Sequence, residues 1–237
     1  MAKKVEEGKR PITVEDHKEL NRKNNARNLT AVNDALKFPD GDAFEKDLQA
    51  YLESDAEANG ENIIIALTDL DNFYHINKDF GPDAGDKILI DVGMHIKNSV
   101  PKDASVYRIG GDEFGIIFKG DMEREEVFLL LNDIKNKLDV KTPDGVKQTM
   151  TIGMATAFVD ASRCAELVRK ADSALYRAKV SGRDKVAMAR EEKMIPKTSH
   201  YTQDQLQRLS KLSKREGTGE AILLREALDM LLKKYDI

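Results

Sequence analysis

The chain has 237 residues, 41% of them hydrophobic, so it is long enough for one large or two small domains with a real core. Its 38 Lys and Arg residues nearly balance 42 Asp and Glu residues, and the net charge of −4 excludes a polycation. From Lys193 onward, nine basic and six acidic residues give +3, which leaves −7 for residues 1–192. The C-terminal part is therefore better suited to meet a polyanion.

The cysteine content and the apolar runs bear on the compartment. Cys164 is the only cysteine of the sequence, which excludes an internal disulfide and suits a reducing compartment. No apolar run reaches the roughly 18 residues that a membrane helix needs, and the N-terminal residues lack the apolar core of a signal peptide. We therefore expect a cytoplasmic protein with no membrane partner.

Residues 1–32 form a polar leader in this interpretation. The stretch from Thr13 to about Leu36 is compatible with a helix but weakly amphipathic. Its interpretations are an entry helix, an arm that contacts a partner, or, with at least equal weight, a solvated leader. After it, a turn at residues 38–42 precedes a predicted helix over Ala43–Leu52.

An apolar run, Ile63 to Leu67, is followed closely by two acids, Asp69 and Asp71. The run predicts a strand that is buried on both faces. Carboxylates at the end of a central strand lie where α/β folds place ligands. Asp71 has a second interpretation of equal weight, which is that it caps the helix that follows.

The stretch Val106–Phe118 predicts a β-hairpin with the turn Gly110-Gly111-Asp112-Glu113 at its tip. Glycine tolerates positive φ and has no Cβ, so a phosphate or a sugar can lie against the backbone there. The two adjacent acids could then hold a divalent cation bound to that phosphate. By pattern alone the turn is only suggestive, because most acidic glycine-rich turns are simply solvated.

Four further elements follow from the hydrophobic spacing. Helices are predicted over Asp86–Val100, Met122–Leu138 and Ala161–Val180, and a long strand over Val146–Phe158. Gly153 lies inside this strand and is interpreted as a bulge. His95 lies near the apolar stripe of the first of these helices and is interpreted as a packed or surface histidine rather than a metal ligand.

Five separate stretches, in the right order, resemble the motifs of the GGDEF family, the diguanylate cyclases that make cyclic di-GMP from GTP. They are the turn at residues 38–44, which retains only Pro39 and Phe44 of the family pattern, then Asp69-Leu70-Asp71, Asn77–Asp86, Gly110–Phe114 and Ala171–Asp184. The resemblance implies a cyclase domain over residues 33–189. The implied fold is mixed α/β (α+β), a mostly antiparallel sheet flanked by helices, similar to nucleotide cyclase and polymerase palm domains.

The resemblance also implies a role for each motif. Asp112 and Glu113 are the implied catalytic residues. The implied cofactor is Mg²⁺ or Mn²⁺, with Asp69, the Leu70 carbonyl, Asp112 and Glu113 as ligands. The implied substrate-binding residues are Asn77 and Asp86 for guanine, Gly110 and Gly111 at the turn, and Lys179 and Arg183 for the triphosphate. Plainer interpretations remain, with Asn77 and Asp86 as caps of a helix that begins near Ala84, and with Lys179 and Arg183 as partners of a helix dipole.

Several positions depart from the family pattern. Tyr74 stands where the family usually has a phosphate-contacting lysine, and Pro82 replaces a histidine. The loss of the cation at Tyr74 predicts a low activity. Pro101 and Ala104 replace the Arg and Asp of the family's inhibitory product-binding site, so we expect no feedback inhibition through that site.

A polar linker over residues 190–196 leads to a second module over residues 197–237. Lys197–Tyr201 is compatible with a strand, and Thr202-Gln203-Asp204-Gln205 has the form of a capping box that opens a helix. A second helix follows residues 216–220. So short a module cannot bury its many leucines alone, so we expect a homodimer.

This order of elements resembles the ribbon-helix-helix family, dimeric DNA binders that place a two-stranded ribbon in the major groove. The resemblance implies that Lys197, Thr198 and His200 face double-stranded DNA. It also implies that the start of the second helix, Thr218 to Glu220, approaches a phosphate, although the charge of Glu220 is unfavourable there. The alternative is a helical hairpin that dimerises without binding DNA.

The two modules together predict a DNA-binding diguanylate cyclase, which condenses two GTP into cyclic di-GMP and pyrophosphate. Its dimeric module would hold two cyclase domains together, and DNA would alter their activity. Two alternatives stay open at this point. One is a transcription regulator whose inert GGDEF domain senses GTP or a cyclic dinucleotide, and the other is an enzyme whose second module serves only for dimerisation.

Overall fold

The computed structural model describes residues 32–190, 197–216 and 219–235. Of the predicted leader only Val32, and of the predicted linker only Arg190, falls within these ranges. The chain divides at Arg190 and Glu191 into two compact units, which are described separately below. In the described ranges, no helix is both long and apolar enough to cross a lipid bilayer.

The first unit contains five helices and five strands after a short helical segment at residues 32–36. In chain order these are α1 (Gly41–Leu52), β1 (Asn62–Leu70), α2 (Phe73–Phe80), α3 (Pro82–Ser99), β2 (Ser105–Arg108), β3 (Glu113–Gly120), α4 (Arg124–Asn136), β4 (Met150–Thr156), α5 (Cys164–Val180) and β5 (Val186–Met188). The strand order in the sheet is β2-β3-β1-β4-β5. Only the β4–β5 pair is parallel, so the predicted mixed fold with a mostly antiparallel sheet is confirmed.

The central strand β1 is buried on both faces, as its unbroken apolar run predicts. Ile64 and Ala66 belong to a core shared with α2, α3 and α4. Ile63, Ile65 and Leu67 belong to a second core, shared with α1 and α5. Because both faces are covered, the only part of β1 that can serve a ligand is its end, where Asp69 lies.

Gly153 is not a bulge, and that prediction was wrong. It continues the ladder of β4, opposite Leu67 on one side and Ala187 on the other. A Cβ at this position would lie 2.2 Å from the Ala171 carbonyl oxygen and 2.3 Å from the Leu175 amide nitrogen. Glycine is therefore required because the backbone of α5 packs directly on the strand.

Several predicted boundaries were also wrong. Strand β4 begins at Met150 rather than Val146, because residues 140–148 form a turn closed by the Gln148 amide, which donates to the Val140 carbonyl. Helix α3 begins at Pro82, where a proline suits the first turn, rather than near Ala84. Helix α4 starts two residues later than predicted and α5 three residues later. His95 Nε2 donates to the Ile134 carbonyl at 2.8 Å, which confirms a packed histidine.

The second unit consists of two helices, α6 (Gln203–Glu216) and α7 (Glu220–Lys234). The predicted capping box is confirmed, because the Gln205 amide donates to the Thr202 hydroxyl and the Thr202 amide donates to the Gln205 side chain. Residues 197–201 have no strand pairing in the single chain. The strand predicted over Lys197–Tyr201 is therefore not formed within one copy of the chain.

Candidate active site

The ends of β1 and β3 bring two acids side by side. Asp69 and Glu113 are direct partners in the antiparallel ladder, so their side chains leave the same face of the sheet. The Leu70 amide donates to the Asp112 carbonyl at 3.3 Å, which ties the turn of the hairpin to the end of β1. The acids predicted from two separate stretches, Asp69, Asp112 and Glu113, therefore lie together.

The hairpin turn is closed on the Glu113 carbonyl, which accepts from the amides of Ile109 and Gly110 at 3.1 and 3.3 Å. A Cβ on Gly110 would lie 2.7 Å from Oε2 of Glu113, whereas a Cβ on Gly111 would meet nothing within 4 Å. Neither glycine has a positive φ. The missing side chain is what matters, because it leaves room for the Glu113 carboxylate at residue 110 and an open backbone at residue 111.

Asp69 forms an ion pair with a lysine side chain. The ammonium of Lys179, in the last turn of α5, contacts Oδ2 of Asp69 at 2.6 Å. Burial raises the pKa of Asp69 to about 6, the Lys179 ammonium opposes the rise, and the Asp112 and Glu113 carboxylates add to it. A half-buried cluster of acids that already holds one cation is an environment suited to a second, divalent one.

The loop after α5 carries the other predicted triphosphate contact, Arg183, which is exposed. Gly182, Arg183 and Asp184 all have positive φ, at 108°, 58° and 47°. The Arg183 amide donates to the Ala178 carbonyl at 3.0 Å, so the loop folds back on the end of the helix. Lys179 and Arg183 therefore leave one short segment, four residues apart.

The predicted guanine contacts lie on two consecutive helices. Asn77 is in α2 and Asp86 is in the second turn of α3, so Asp86 does not cap that helix. A Cβ on Gly85 would lie 1.9 Å from Oδ1 of Asn77, so the glycine makes room for the Asn77 amide. Burial raises the pKa of Asp86, Arg108 opposes the rise, and Asp83 adds to it.

Arg108 is a site residue that the motifs did not indicate. It is buried at the end of β2, and its guanidinium donates to the Gly111 carbonyl at 2.8 Å and to the Asn33 side chain at 2.9 Å. Burial lowers its pKa, and the carboxylates of Asp86 and Asp112 oppose that shift. Arg108 thus holds the turn and interacts electrostatically with the carboxylates of both Asp86 and Asp112. A lone arginine between Tyr107 and Ile109 in an apolar strand is the signal that could have indicated it.

Asp71 does not cap the helix that follows, so that interpretation was wrong, and its carboxylate is held by other donors of the domain. The N-cap residue of α2 is Asn72, and no side chain caps that helix. The buried carboxylate of Asp71 accepts from Thr149 and Thr151 and from the Asp184 amide, at 2.7, 2.6 and 3.1 Å. These partners lie about 80 to 110 residues away in sequence, and no local pattern reveals them.

The donor chemistry suits Mg²⁺ or Mn²⁺. Carboxylate and carbonyl oxygens are the ligands such hard cations prefer, and Mg²⁺ is commonly held by one or two carboxylates together with substrate phosphates. Among the described residues, no three His, Cys, Asp or Glu side chains converge closely enough to hold a metal ion by themselves. The arrangement therefore fits a cation whose remaining ligands are the Leu70 carbonyl, the nucleotide and water.

Two surfaces outside this cluster carry further predicted positions. Tyr74, which replaces the usual lysine, is 73% exposed and makes an edge contact with His75. In the second unit, the predicted DNA contacts Lys197, Thr198 and His200 are all exposed. Thr218 lies outside the described residues. Glu220, the first residue of α7, is exposed.

Comparison with known proteins agrees with this geometry. The family model described as "Diguanylate cyclase, GGDEF domain" matches residues 34–185, and the model described as "Ribbon-helix-helix domain" matches residues 195–236. The diguanylate cyclase TpbB of Pseudomonas aeruginosa is 30% identical over 150 residues, which cover 62% of this chain and 34% of TpbB. The probable diguanylate cyclase DgcT of Escherichia coli is 31% identical over 139 residues, which cover 56% of this chain and 30% of DgcT. The chain thus spans about a third of the length of these relatives.

Solved structures match the first unit. The GGDEF domain of TpbB from Pseudomonas aeruginosa superposes with a TM-score of 0.62 at 29% identity, covering 66% of this chain and 92% of that one. The GGDEF domain of DgcB from Caulobacter crescentus, in complex with c-di-GMP, gives 0.58 at 26% identity, covering 64% and 91%. The chain belongs to the GGDEF diguanylate cyclase family and carries a ribbon-helix-helix domain after its GGDEF domain.

Proposed function

We propose that this protein condenses two GTP molecules into cyclic di-GMP and pyrophosphate, and that its ribbon-helix-helix domain dimerises it and binds DNA. The observation that supports the enzymatic part best is the ladder pairing of Asp69 with Glu113 beside the turn that carries Asp112. In each step the 3′-hydroxyl of one GTP attacks the α-phosphate of the other and pyrophosphate leaves. The same step then repeats in the opposite sense.

The acids at the ends of β1 and β3 would bind the metal. Asp69, Asp112, Glu113 and the Leu70 carbonyl are the ligands in this proposal. Bound Mg²⁺ or Mn²⁺ would neutralise charge on the α-phosphate and activate the attacking hydroxyl. Lys179, which contacts Asp69 at 2.6 Å without nucleotide, would turn towards the negatively charged phosphates.

The remaining residues would orient the nucleotide. The Asn77 amide can both donate to and accept from the guanine edge, and the Asp86 carboxylate can accept from its N–H groups. The open backbone at Gly111 would let the phosphates approach, while Gly110 would leave room for the Glu113 carboxylate beside them. Arg183 would join Lys179 on the triphosphate. Holding the two reactants in this geometry supplies much of the rate, because the reaction becomes effectively unimolecular.

One GGDEF domain would hold one GTP, so a single domain is half of the active enzyme. The second unit provides the means of bringing two together, because a dimeric ribbon-helix-helix domain raises the effective concentration of the attached domains. DNA bound to the ribbon would then be in a position to alter their geometry. In this proposal Lys197, Thr198 and His200 face the DNA.

The enzymatic proposal is tested by pyrophosphate release from GTP with Mg²⁺. Glu113→Gln keeps the shape of the side chain but removes a charged ligand, so we expect a loss of at least about 100-fold in turnover, the upper end of the cost of losing a supporting partner of a metal site. Glu125→Gln, on the exposed first turn of α4, is the matched control and should keep wild-type turnover. Equal rates for the two variants would refute the assigned role of Glu113.

A second candidate function is favoured by Tyr74. Because this exposed tyrosine supplies no cation, the domain could bind GTP or a cyclic dinucleotide without turnover and serve as the sensor of a transcription regulator. Binding of GTP in the absence of any product would favour this sensor. Tyr74→Lys is the diagnostic variant, since it should raise turnover if the missing cation is what limits an active enzyme.

The DNA proposal is tested by the salt dependence of binding to duplex DNA. Replacing a phosphate-contacting lysine reduces the slope of log affinity against log salt by about 1. We expect this for Lys197→Ala, whereas Lys119→Ala, in the GGDEF domain, should leave the slope unchanged. A wild-type protein with no measurable affinity for duplex DNA at low salt would leave the second unit as a dimerisation domain only.

A further inference from the structure

Asp71 lies beside the proposed metal ligands but takes no part in the acid cluster. It is 4% exposed, and it follows Leu70 directly in the chain. A buried carboxylate is costly unless its oxygens are hydrogen-bonded. Its partners therefore indicate what the residue is for.

Three donors from two separate segments converge on this carboxylate. The Thr149 hydroxyl and the Asp184 amide both donate to Oδ2, and the Thr151 hydroxyl donates to Oδ1. Thr149 directly precedes β4 and Thr151 is the second residue of that strand, whereas Asp184 belongs to the loop after α5. One side chain therefore joins the end of β1, the start of β4 and that loop.

The loop has a second anchor from the opposite side. The ammonium of Lys135, only 9% exposed, contacts the Asp184 carboxylate at 2.8 Å. Asp184 is thus held through its amide by Asp71 and through its side chain by Lys135. The positive φ values of Arg183 and Asp184 are unfavourable for residues with side chains, so the loop needs such anchors to keep this conformation.

We propose that Asp71 is a positioning residue for the triphosphate. It fixes the loop that carries Arg183 against the end of β1 that carries Asp69 and Leu70. The distance between the Arg183 guanidinium, which would bind phosphate, and the metal-binding oxygens at the end of β1 is thereby kept constant. The inference rests on the proposed binding of GTP. In this inference the loop contacts the β- and γ-phosphates, so Asp71 should matter for a triphosphate and not for a monophosphate.

The test compares the affinity for GMP with that for the α,β-methylene analogue of GTP, which cannot release pyrophosphate, in the full chain with Mg²⁺. For Asp71→Ala we expect the analogue to bind about tenfold more weakly, the cost typical of losing a supporting partner of a ligand site. GMP affinity should stay within about twofold, because GMP lacks the contacts in question. Asp71→Asn keeps one acceptor oxygen and should lose only about threefold, a single weakened hydrogen bond.

Hydrogen exchange gives a readout that does not depend on nucleotide. The peptide that contains residues 181–185 should exchange faster in Asp71→Ala than in wild type, with Asp71→Asn between them. Exchange in α3 should be unchanged in both variants. An unchanged rate at residues 181–185 would overturn the proposal whatever the enzyme does with GTP.

The second anchor offers a matched pair on one helix. Lys135 and Lys137 both lie at the end of α4 and each contacts an Asp, but the Lys137–Asp133 pair is exposed. Lys135→Met should weaken binding of the analogue without affecting GMP, whereas Lys137→Met should change neither.

The possible outcomes separate this inference from the proposed function. If Asp71→Asn lowered the affinities for GMP and for the analogue equally, Asp71 would be a purely structural residue. An affinity for the analogue that stays unchanged in the Asp71 variants would likewise overturn the proposal. A wild-type protein that prefers the analogue over GMP but forms no product from GTP would refute the proposed enzyme and leave the role of Asp71 intact. A wild-type protein without that preference would refute the role of Asp71.

Discussion

The two units of this chain differ in how they bury their apolar side chains. In the GGDEF domain every strand of the sheet packs against helices of the same chain, and the two cores on either face are closed. In the ribbon-helix-helix domain, Leu228, Met230 and Leu231 of α7 remain 50 to 67% exposed in the single chain. The first unit closes its cores within one chain, whereas the exposed side chains of the second form the surface that the proposed dimer would bury.

The proposed reaction needs two copies of the chain, because two GTP molecules require two GGDEF domains. Dimerisation through the exposed apolar surface of the second unit would bring these two domains together. The comparison predicts that mutations in the two units act on different quantities. Those in the second unit should change self-association, and those in the first should change stability or metal binding.

The largest effect is expected from Leu228→Gln combined with Leu231→Gln. Burying one leucine contributes about 1.5 to 3 kcal/mol, so removing these side chains from a dimer interface should weaken self-association at least about 100-fold. Analytical ultracentrifugation would measure this, with Lys211→Ala on the exposed face of α6 as control. Turnover should fall at low protein concentration and recover at high concentration. A double variant that dimerises like wild type would remove the basis of the comparison.

The next effect concerns the GGDEF core alone. Gly153→Ala places a Cβ against backbone atoms of α5 that cannot move aside, so we expect a loss of about 1 to 3 kcal/mol or more in the free energy of unfolding. Chemical denaturation followed by circular dichroism would measure it. Gly111→Ala is the matched control, because its Cβ meets nothing within 4 Å and its stability should stay within about 0.5 kcal/mol of wild type. Self-association should be the same in both variants, and a loss of it in Gly153→Ala would contradict the independence of the two units.

A smaller effect is expected from pH. Since burial raises the pKa of Asp69 to about 6 and a metal binds the deprotonated carboxylate, proton and metal compete at this residue. Mn²⁺ affinity of the nucleotide-free protein should rise about tenfold per pH unit below that pKa and level off above it. Asp69→Asn should abolish this pH dependence. Lys179→Met should shift it to higher pH, because the ammonium holds the pKa down. A flat profile in wild type would contradict Asp69 as a ligand.

The same raised pKa has a defined sign in folding stability. The folded state holds a proton on Asp69 more tightly than the unfolded chain does, so the contribution is present at low pH and is lost as pH rises through about 6. A site that costs stability at neutral pH in order to present a charged ligand is typical of functional positions.

Local patterns predicted a large part of the fold. The apolar run of β1, the hairpin around Gly110 and the capping box at Thr202 are all confirmed, because strand burial, turns and caps depend on neighbouring residues. Strand β4 was predicted to begin too early. The turn that precedes it is closed by the hydrogen bond from the Gln148 amide to the Val140 carbonyl, and the turn residues alone do not indicate this.

The site was less accessible to such patterns. Motif positions indicated Asp69 and the Glu113 turn, and the structure brings these together. The partners of Asp71 and Arg108 come from distant segments, Thr151 and Asn33 among them, and only the fold reveals them. The close approach of α5 that requires Gly153 has the same long-range origin.

The central claim is that acids from β1 and from the hairpin together hold a metal-bound triphosphate that reacts with a second one. It is tested most directly by incubating the purified full chain with GTP and Mg²⁺ and identifying the nucleotide formed, in wild type and in Asp69→Asn. The account predicts cyclic di-GMP with two pyrophosphates released per product in wild type and none in the variant. GTP that stays bound and unchanged in wild type, or product formed equally well by the variant, would contradict it.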